Sequence, residues 1–225
     1  MYSGYRLSKA SCFLHTFIKT YHMLEHATFL QYILGAFIGV GLAAASGFRV
    51  FMPLFAVSLA SYFGWIPMNE HWQWLAGLPT LIATGIAMIV EILAYYIPFI
   101  DHLLDSINIP LATIAGTLLF ASQFTHLDAF PQWALALIAG GGTASIISSG
   151  FAGLRATSTA TTGGTGNFMV ASTETFGGSL MSALALAAPI IAFVIALILI
   201  ILSVRYGRKL WRKLKQLRKP DTELK

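Results

Sequence analysis

The residues of this chain equipped to do chemistry are few, and they fall into two groups. The first is a donor-rich run, GLRATSTATTGGTGNF from Gly153 to Phe168, headed by Arg155 and carrying Thr157, Ser158, Thr161, Thr162, Gly163, Gly164 and Asn167. Backbone N–H groups, hydroxyls and a guanidinium together suit an anion such as phosphate or carboxylate. Gly and Thr are poor helix formers, so irregular backbone is expected here. At membrane depth such backbone is tolerated only where it is buried in protein or lines a watered cavity. The plainer alternative is a polar loop outside the bilayer with Arg155 at the lipid interface. The run lacks the Gly-Lys-Ser/Thr ending of a nucleotide P-loop, which argues against ATP.

The second group is acidic and centres on EILAYYIPFIDHLLDSI, Glu91 to Ile107. Glu91 closes an otherwise uncharged helical run, so it lies either near the interface or buried, and an acid inside a membrane span marks a candidate functional site. Pro98 interrupts the helix, and Asp101 and Asp105, four apart, share one face of the helix that follows. Two carboxylates so placed suit a bound cation or a proton relay, or else a capping acid and a solvated turn. His102 falls on another face, so no metal site of the three is expected. Glu174 reads first as a stabilising acid at the N-terminus of the last long helix, and second as another coupling residue. Nothing matches a nucleophile elbow or a zinc-protease motif, and His126 with Asp128 reads as a polar loop before Pro131. Enzyme is the weaker class, and no cofactor is expected.

The elements that must hold these residues are apolar. The 225 residues are 56% hydrophobic and 10% charged, with mean hydropathy +0.72; soluble domains carry about a quarter charged residues. Uncharged runs recur at Phe29–Ala45, Trp74–Val90, Gln132–Ser149 and Gly177–Val204, and about 20 apolar residues cross a bilayer. The fold class is therefore all-α, a polytopic membrane helix bundle of five to seven spans with short or re-entrant segments at Val50–Trp65 and Ala156–Glu174. If both segments cross, there are seven spans, with Arg49, Arg155 and the C-terminal tail inside and Glu70, Asp128 and Glu174 outside. If both dip and return, there are five, and the halves are inverted.

Two stretches resemble each other: GAFIGVGLAAASGFRVFMP from Gly35 and LIAGGGTASIISSGFAGLRATST from Leu137. Each is a Gly- and Ala-studded apolar helix, then Ser-Gly-Phe, then an arginine, Arg49 or Arg155. This suggests repeat halves at about 29–107 and 131–204 with a connector at 108–130, in which Ile109–Ser122 is a connecting span. Small residues also let membrane helices approach closely. The long apolar helices closing the halves are expected at Trp74–Tyr96 and Gly177–Val204. Nine of the fourteen Lys and Arg lie from Arg205 to Lys225, a positive-inside anchor that puts the basic tail, 205–225, in the cytoplasm. Leu210, Leu214 and Leu217 share a face suited to anionic lipid headgroups, and the tail gives no reason to expect nucleic acid. Cys12 is the single cysteine, which leaves no internal disulfide. Residues 1–28 precede the membrane domain, 29–204; within them 1–22 read as an extension outside the fold, with Met23 an equally natural start, or as a short cytoplasmic arm.

Four of these stretches, GLAAASGFRVFMPL from Gly41, EILAYYIPFIDHLLD from Glu91, RATSTATTGGTGN from Arg155 and the STE at Ser172, resemble a bacterial membrane family known as domain of unknown function 4126. The resemblance covers most of Leu34–Leu202, and His102 departs from it where Asn is expected. It implies an integral inner-membrane protein and supplies no activity. The expectation drawn from the residues is a small transporter or channel for an anionic or phosphorylated solute or lipid headgroup, coupled to protons. Its pathway is Arg49, Arg155 and the Thr/Gly run, and its coupling residues are Glu91, Asp101, Asp105 and Glu174. A membrane scaffold binding another membrane protein and a lipid-handling protein are the alternatives. The expected partners are the bilayer, anionic headgroups at the tail and a second copy of the chain.

Overall fold

The computed structural model describes residues 29–66, 68, 70–124 and 127–217, so Cys12, the rest of 1–28 and 218–225 lie outside it. Helix α1, Phe29–Phe48, is about 30 Å long at 1.5 Å per residue, the thickness of a hydrocarbon core. It breaks at Arg49 and Val50, and α2, Phe51–Tyr62, follows. A 3-10 helix at Glu70–Ala76 leads through a 55° bend into α3, Leu78–Ala94.

Pro98 ends α3 and starts α4, Pro98–Ala121, because the residue before a proline is pushed out of the helical region. Ile97 accordingly sits at φ −100°, ψ 110°. Helix α5, Ala129–Leu135, passes through a π-helical turn at Ala136–Gly141 into α6, Gly142–Thr162. Gly163 and Gly164, at φ 64° and 92°, close α6 in a left-handed turn that glycine adopts without steric cost. Helix α7, Asn167–Ala187, and α8, Pro189–Leu217, complete the chain.

Neighbouring contacts fix the directions. Gly116 of α4 meets Ser46 of α1 and Ala144 of α6, while Phe120 meets Gly39 and Gly140. Helices α1 and α6 therefore run side by side in the same sense, with α4 opposed. The approach is close: a Cβ on Gly140 would lie 2.4 Å from the Gly116 carbonyl oxygen, so only glycine fits. Helix α7 opposes α1, with Gly177 at Phe48 and Ala185 at Gly41, and α8 returns alongside α6, with Ser203 at Gly150. Helix α3 opposes α2, with Gly85 at Phe55.

The all-α bundle is as expected, and its outside is apolar. Ile82, Ile86 and Val90 of α3 and Ile191, Ile198 and Leu202 of α8 are exposed, while Arg49, Arg155 and Glu174 are buried. This is a membrane protein. Four helices among the described residues are long and apolar enough to cross a bilayer, or five if the bent pair Glu70–Ala76 with Leu78–Ala94 counts as one span.

Three expectations need correction. Gly177–Val204 is not one helix: Pro189 starts α8, and Ala188 before it leaves the helical region at φ −143°, ψ 69°. The Thr/Gly run is not irregular throughout. It is helical to Thr162 because α6 packs along α8, and only the four residues 163–166 form the turn. The seven-span scheme set Arg155 inside and Glu174 outside, yet the two side chains are ion-paired.

Candidate functional site

Two helix ends and one tyrosine organise the site. Arg49 occupies the break between α1 and α2 and is 0% exposed. Its Nη2 donates to the Ala171 carbonyl of α7 at 2.9 Å and lies 3.8 Å from Glu174 Oε2. Arg155, two turns before the end of α6 and 2% exposed, donates from Nη1 to Asp105 of α4 and from Nη2 to Glu174. Glu174 thus serves both arginines from inside α7. It is not the helix-capping acid first expected, because α7 begins seven residues earlier, at Asn167.

Tyr95 is the partner that sequence reasoning missed. Both guanidinium carbons lie 4.0 Å from its ring centroid, and each such cation–π contact is worth about 2 kcal/mol when desolvated. The signal was available: Tyr95 follows Glu91 by four residues and so shares its helix face. Glu91 is buried, at 7% exposure, and caps a helix other than its own. Its Oε1 accepts the Val50 N–H at 2.8 Å and its Oε2 the Phe51 N–H at 3.0 Å. These are orphan donors at the start of α2, and a carboxylate there also meets the positive end of the helix dipole.

The structure therefore brings together Arg49, Arg155, Glu91, Asp105 and Glu174. Asp101 lies on α4 outside the described side chains. The remaining expected residues sit nearer the end of α6. Thr157 bonds the Gly153 carbonyl and Tyr206 of α8, and Asn167 pairs with Thr159. Thr161 and Thr162 donate to the carbonyls of Thr157 and Ser158 at 2.9 and 2.7 Å. Ser158 faces Gly166, where a Cβ would lie 2.5 Å from its hydroxyl. Gly163 is exposed and Gly164 partly so. These hydroxyls are largely taken up by backbone and by one another.

By formal count the cluster holds two cations and three carboxylates, so one proton or one monovalent cation would balance it. An unpaired arginine costs about 2.5–3.5 kcal/mol in a bilayer on insertion scales, and mutual pairing removes most of that. The pairing is uneven. Asp105 and Glu174 hold Arg155, whereas Arg49 Nε and Nη1 are buried without a hydrogen-bond acceptor among the described residues. A cavity of about 540 Å³ lined by His71, Trp72, Trp74, Gln132 and Trp133 lies at the opposite end of the helices, against about 180 Å³ beside Glu91 and Tyr95. Its tryptophans suit a membrane–water boundary.

The family described as Domain of unknown function (DUF4126) matches residues 36–209, a stretch that contains the whole cluster. The chain belongs to this family. Neither a curated protein nor a solved structure matches it significantly. Membership of DUF4126 carries no activity, so function must be argued from the cluster.

Proposed function

We propose that this protein is a small transporter of the bacterial inner membrane that takes an anionic or phosphorylated solute or headgroup and moves it with a proton. One observation carries the reading. Arg49 holds two donors, Nε and Nη1, buried without an acceptor among the described residues, and leaving a buried donor unmade costs about 1–3 kcal/mol. An anion accepting from either donor recovers part of that cost and competes with Glu174 for the guanidinium. The carboxylate it displaces would then take up the proton that keeps the site balanced, which couples the two movements.

The repeat halves, 29–107 and 131–204, fit this reading as parallel units joined by α4, the arrangement of transporters whose halves are related about the membrane normal. Supporting it, α1 and α6 run in the same sense, Phe48 packs on Phe151 at 4.7 Å, and both arginines share Tyr95. The basic tail favours a cytoplasmic C-terminus by the positive-inside tendency.

The test is phosphate-driven or carboxylate-driven proton movement into proteoliposomes carrying an internal pH dye. Wild-type protein should acidify the lumen when the transported anion is added outside, because anion and proton enter together. Arg49→Lys, which keeps the charge and loses the planar fork, should reduce the rate at least tenfold while the protein still unfolds cooperatively. Equal rates in wild type and Arg49→Lys would remove Arg49 from the pathway and the reading with it.

A further inference from the structure

Helices α3 and α4 are consecutive in the chain, yet α3 packs on α2 and α4 packs on α6, and the two diverge. Between them lies a cavity of about 180 Å³. Ala87, Val90 and Ala94 of α3 and Leu104, Ile107 and Leu111 of α4 form its walls, with Asn108, whose amide donates to Ser148, the one polar side chain among those of α4. Val90, Ile107 and Leu111 are among the exposed apolar residues of the bundle, so the mouth faces lipid tails. The inner end is different: Glu91, Tyr95, and Val50 and Phe51 at the start of α2. An apolar slot open to the bilayer thus ends on the carboxylate that caps α2 and on the ring shared by both arginines.

We infer that the substrate is an amphiphile, an anionic head on a single apolar chain, and that it loads sideways from the bilayer between α3 and α4. This rests on the transporter reading above and adds the substrate's chemical class and its route. The chain lies along Ala87–Ala94 and Leu104–Leu111. The head replaces Glu91 at the N-terminus of α2, where the Val50 and Phe51 N–H groups already hold a carboxylate at 2.8 and 3.0 Å. Helix N-termini take phosphate and carboxylate alike. Arg49, the residue before Val50, supplies a buried donor that has no acceptor among the described residues. Glu91 is in effect an internal stand-in for the head. A wholly water-soluble anion has no use for this slot, and a neutral lipid has no use for its inner end.

The experiment compares inorganic phosphate with decyl phosphate, by competition binding to the purified protein in nanodiscs, in wild type and in Ala94→Trp, which fills the slot from α3. Partitioning into lipid raises the apparent affinity of the chain-bearing anion equally for both proteins, so the variant comparison isolates the slot. Ala94→Trp should weaken decyl phosphate at least tenfold relative to wild type and leave inorganic phosphate within twofold. If decyl phosphate binds both proteins equally, with binding still lost in Arg49→Lys, the sideways route is wrong and the anion reading survives. If neither anion binds wild type, both fall. A second measurement does not depend on the variant folding: a decyl phosphate analogue with a diazirine at mid-chain should cross-link wild type within 87–94 or 104–111. Cross-links confined to α8 or α1 would overturn the inference.

Discussion

Removing Glu174 should be the most damaging single truncation in the cluster. Glu174 is 1% exposed, accepts from Arg155 and stands 3.8 Å from Arg49. Glu174→Ala leaves Arg155 with Asp105 and Tyr95, and leaves Arg49 with the Ala171 carbonyl and Tyr95. Taking one partner from a buried ion pair costs about 3–5 kcal/mol. In a domain of this size about 1 kcal/mol moves the unfolding midpoint by 2–4 °C, so the expected fall is roughly 6–20 °C. The assay is thermal unfolding in one detergent, followed by intrinsic tryptophan fluorescence. Glu174→Met combined with Arg155→Met should regain much of the loss, since a buried pair replaced by apolar residues of similar volume is often neutral. Asp105, 24% exposed at its side chain, can then be solvated. A midpoint for Glu174→Ala within about 2 °C of wild type, or single-variant losses that simply add in the double variant, would refute the shared-counter-ion account.

Three further outcomes follow from the same geometry. Glu91→Ala should cost more than Glu91→Gln, because alanine leaves both the Val50 and Phe51 N–H groups without an acceptor at about 1–3 kcal/mol each, whereas glutamine keeps one oxygen; equal midpoints would deny Glu91 its capping role. Gly140→Ala should destabilise by about 1–3 kcal/mol through overpacking, since its Cβ would meet the Gly116 carbonyl oxygen at 2.4 Å. Gly142→Ala, whose Cβ would meet nothing within 4 Å among the described residues, should be neutral or stabilising in the same unfolding assay. A reporter active only outside the cytoplasm, fused after Lys225, should stay silent; strong activity would reverse the proposed orientation.

The all-α membrane class was legible because an uncharged apolar run has few other uses. Arg49, Arg155, Glu91, Asp105 and Glu174 stood out for the complementary reason, that charge is expensive among such runs. Their meeting was not legible, since it depends on α1 breaking at Arg49, on α3 stopping before Pro98 and on α7 turning back along α1. Glu174 was misplaced because α7 begins at Asn167 rather than near Gly177, and the length of that last apolar run was misjudged because Pro189 within it starts a new helix. The Thr/Gly run was read from intrinsic propensity, which packing along α8 overrode as far as Thr162. Tyr95 was missed because aromatic residues are common in such helices, and only the two guanidinium groups against its ring distinguish it.

The central claim is that Arg49 keeps two buried donors for an anion. An experimental structure in nanodiscs with decyl phosphate present tests it most directly. The account predicts head-group density within hydrogen-bonding distance of Arg49 Nε or Nη1, with the Glu91 carboxylate withdrawn from the Val50 and Phe51 N–H groups. Arg49 with both donors satisfied by protein carbonyls, Glu91 still capping α2 and no density between them would contradict it.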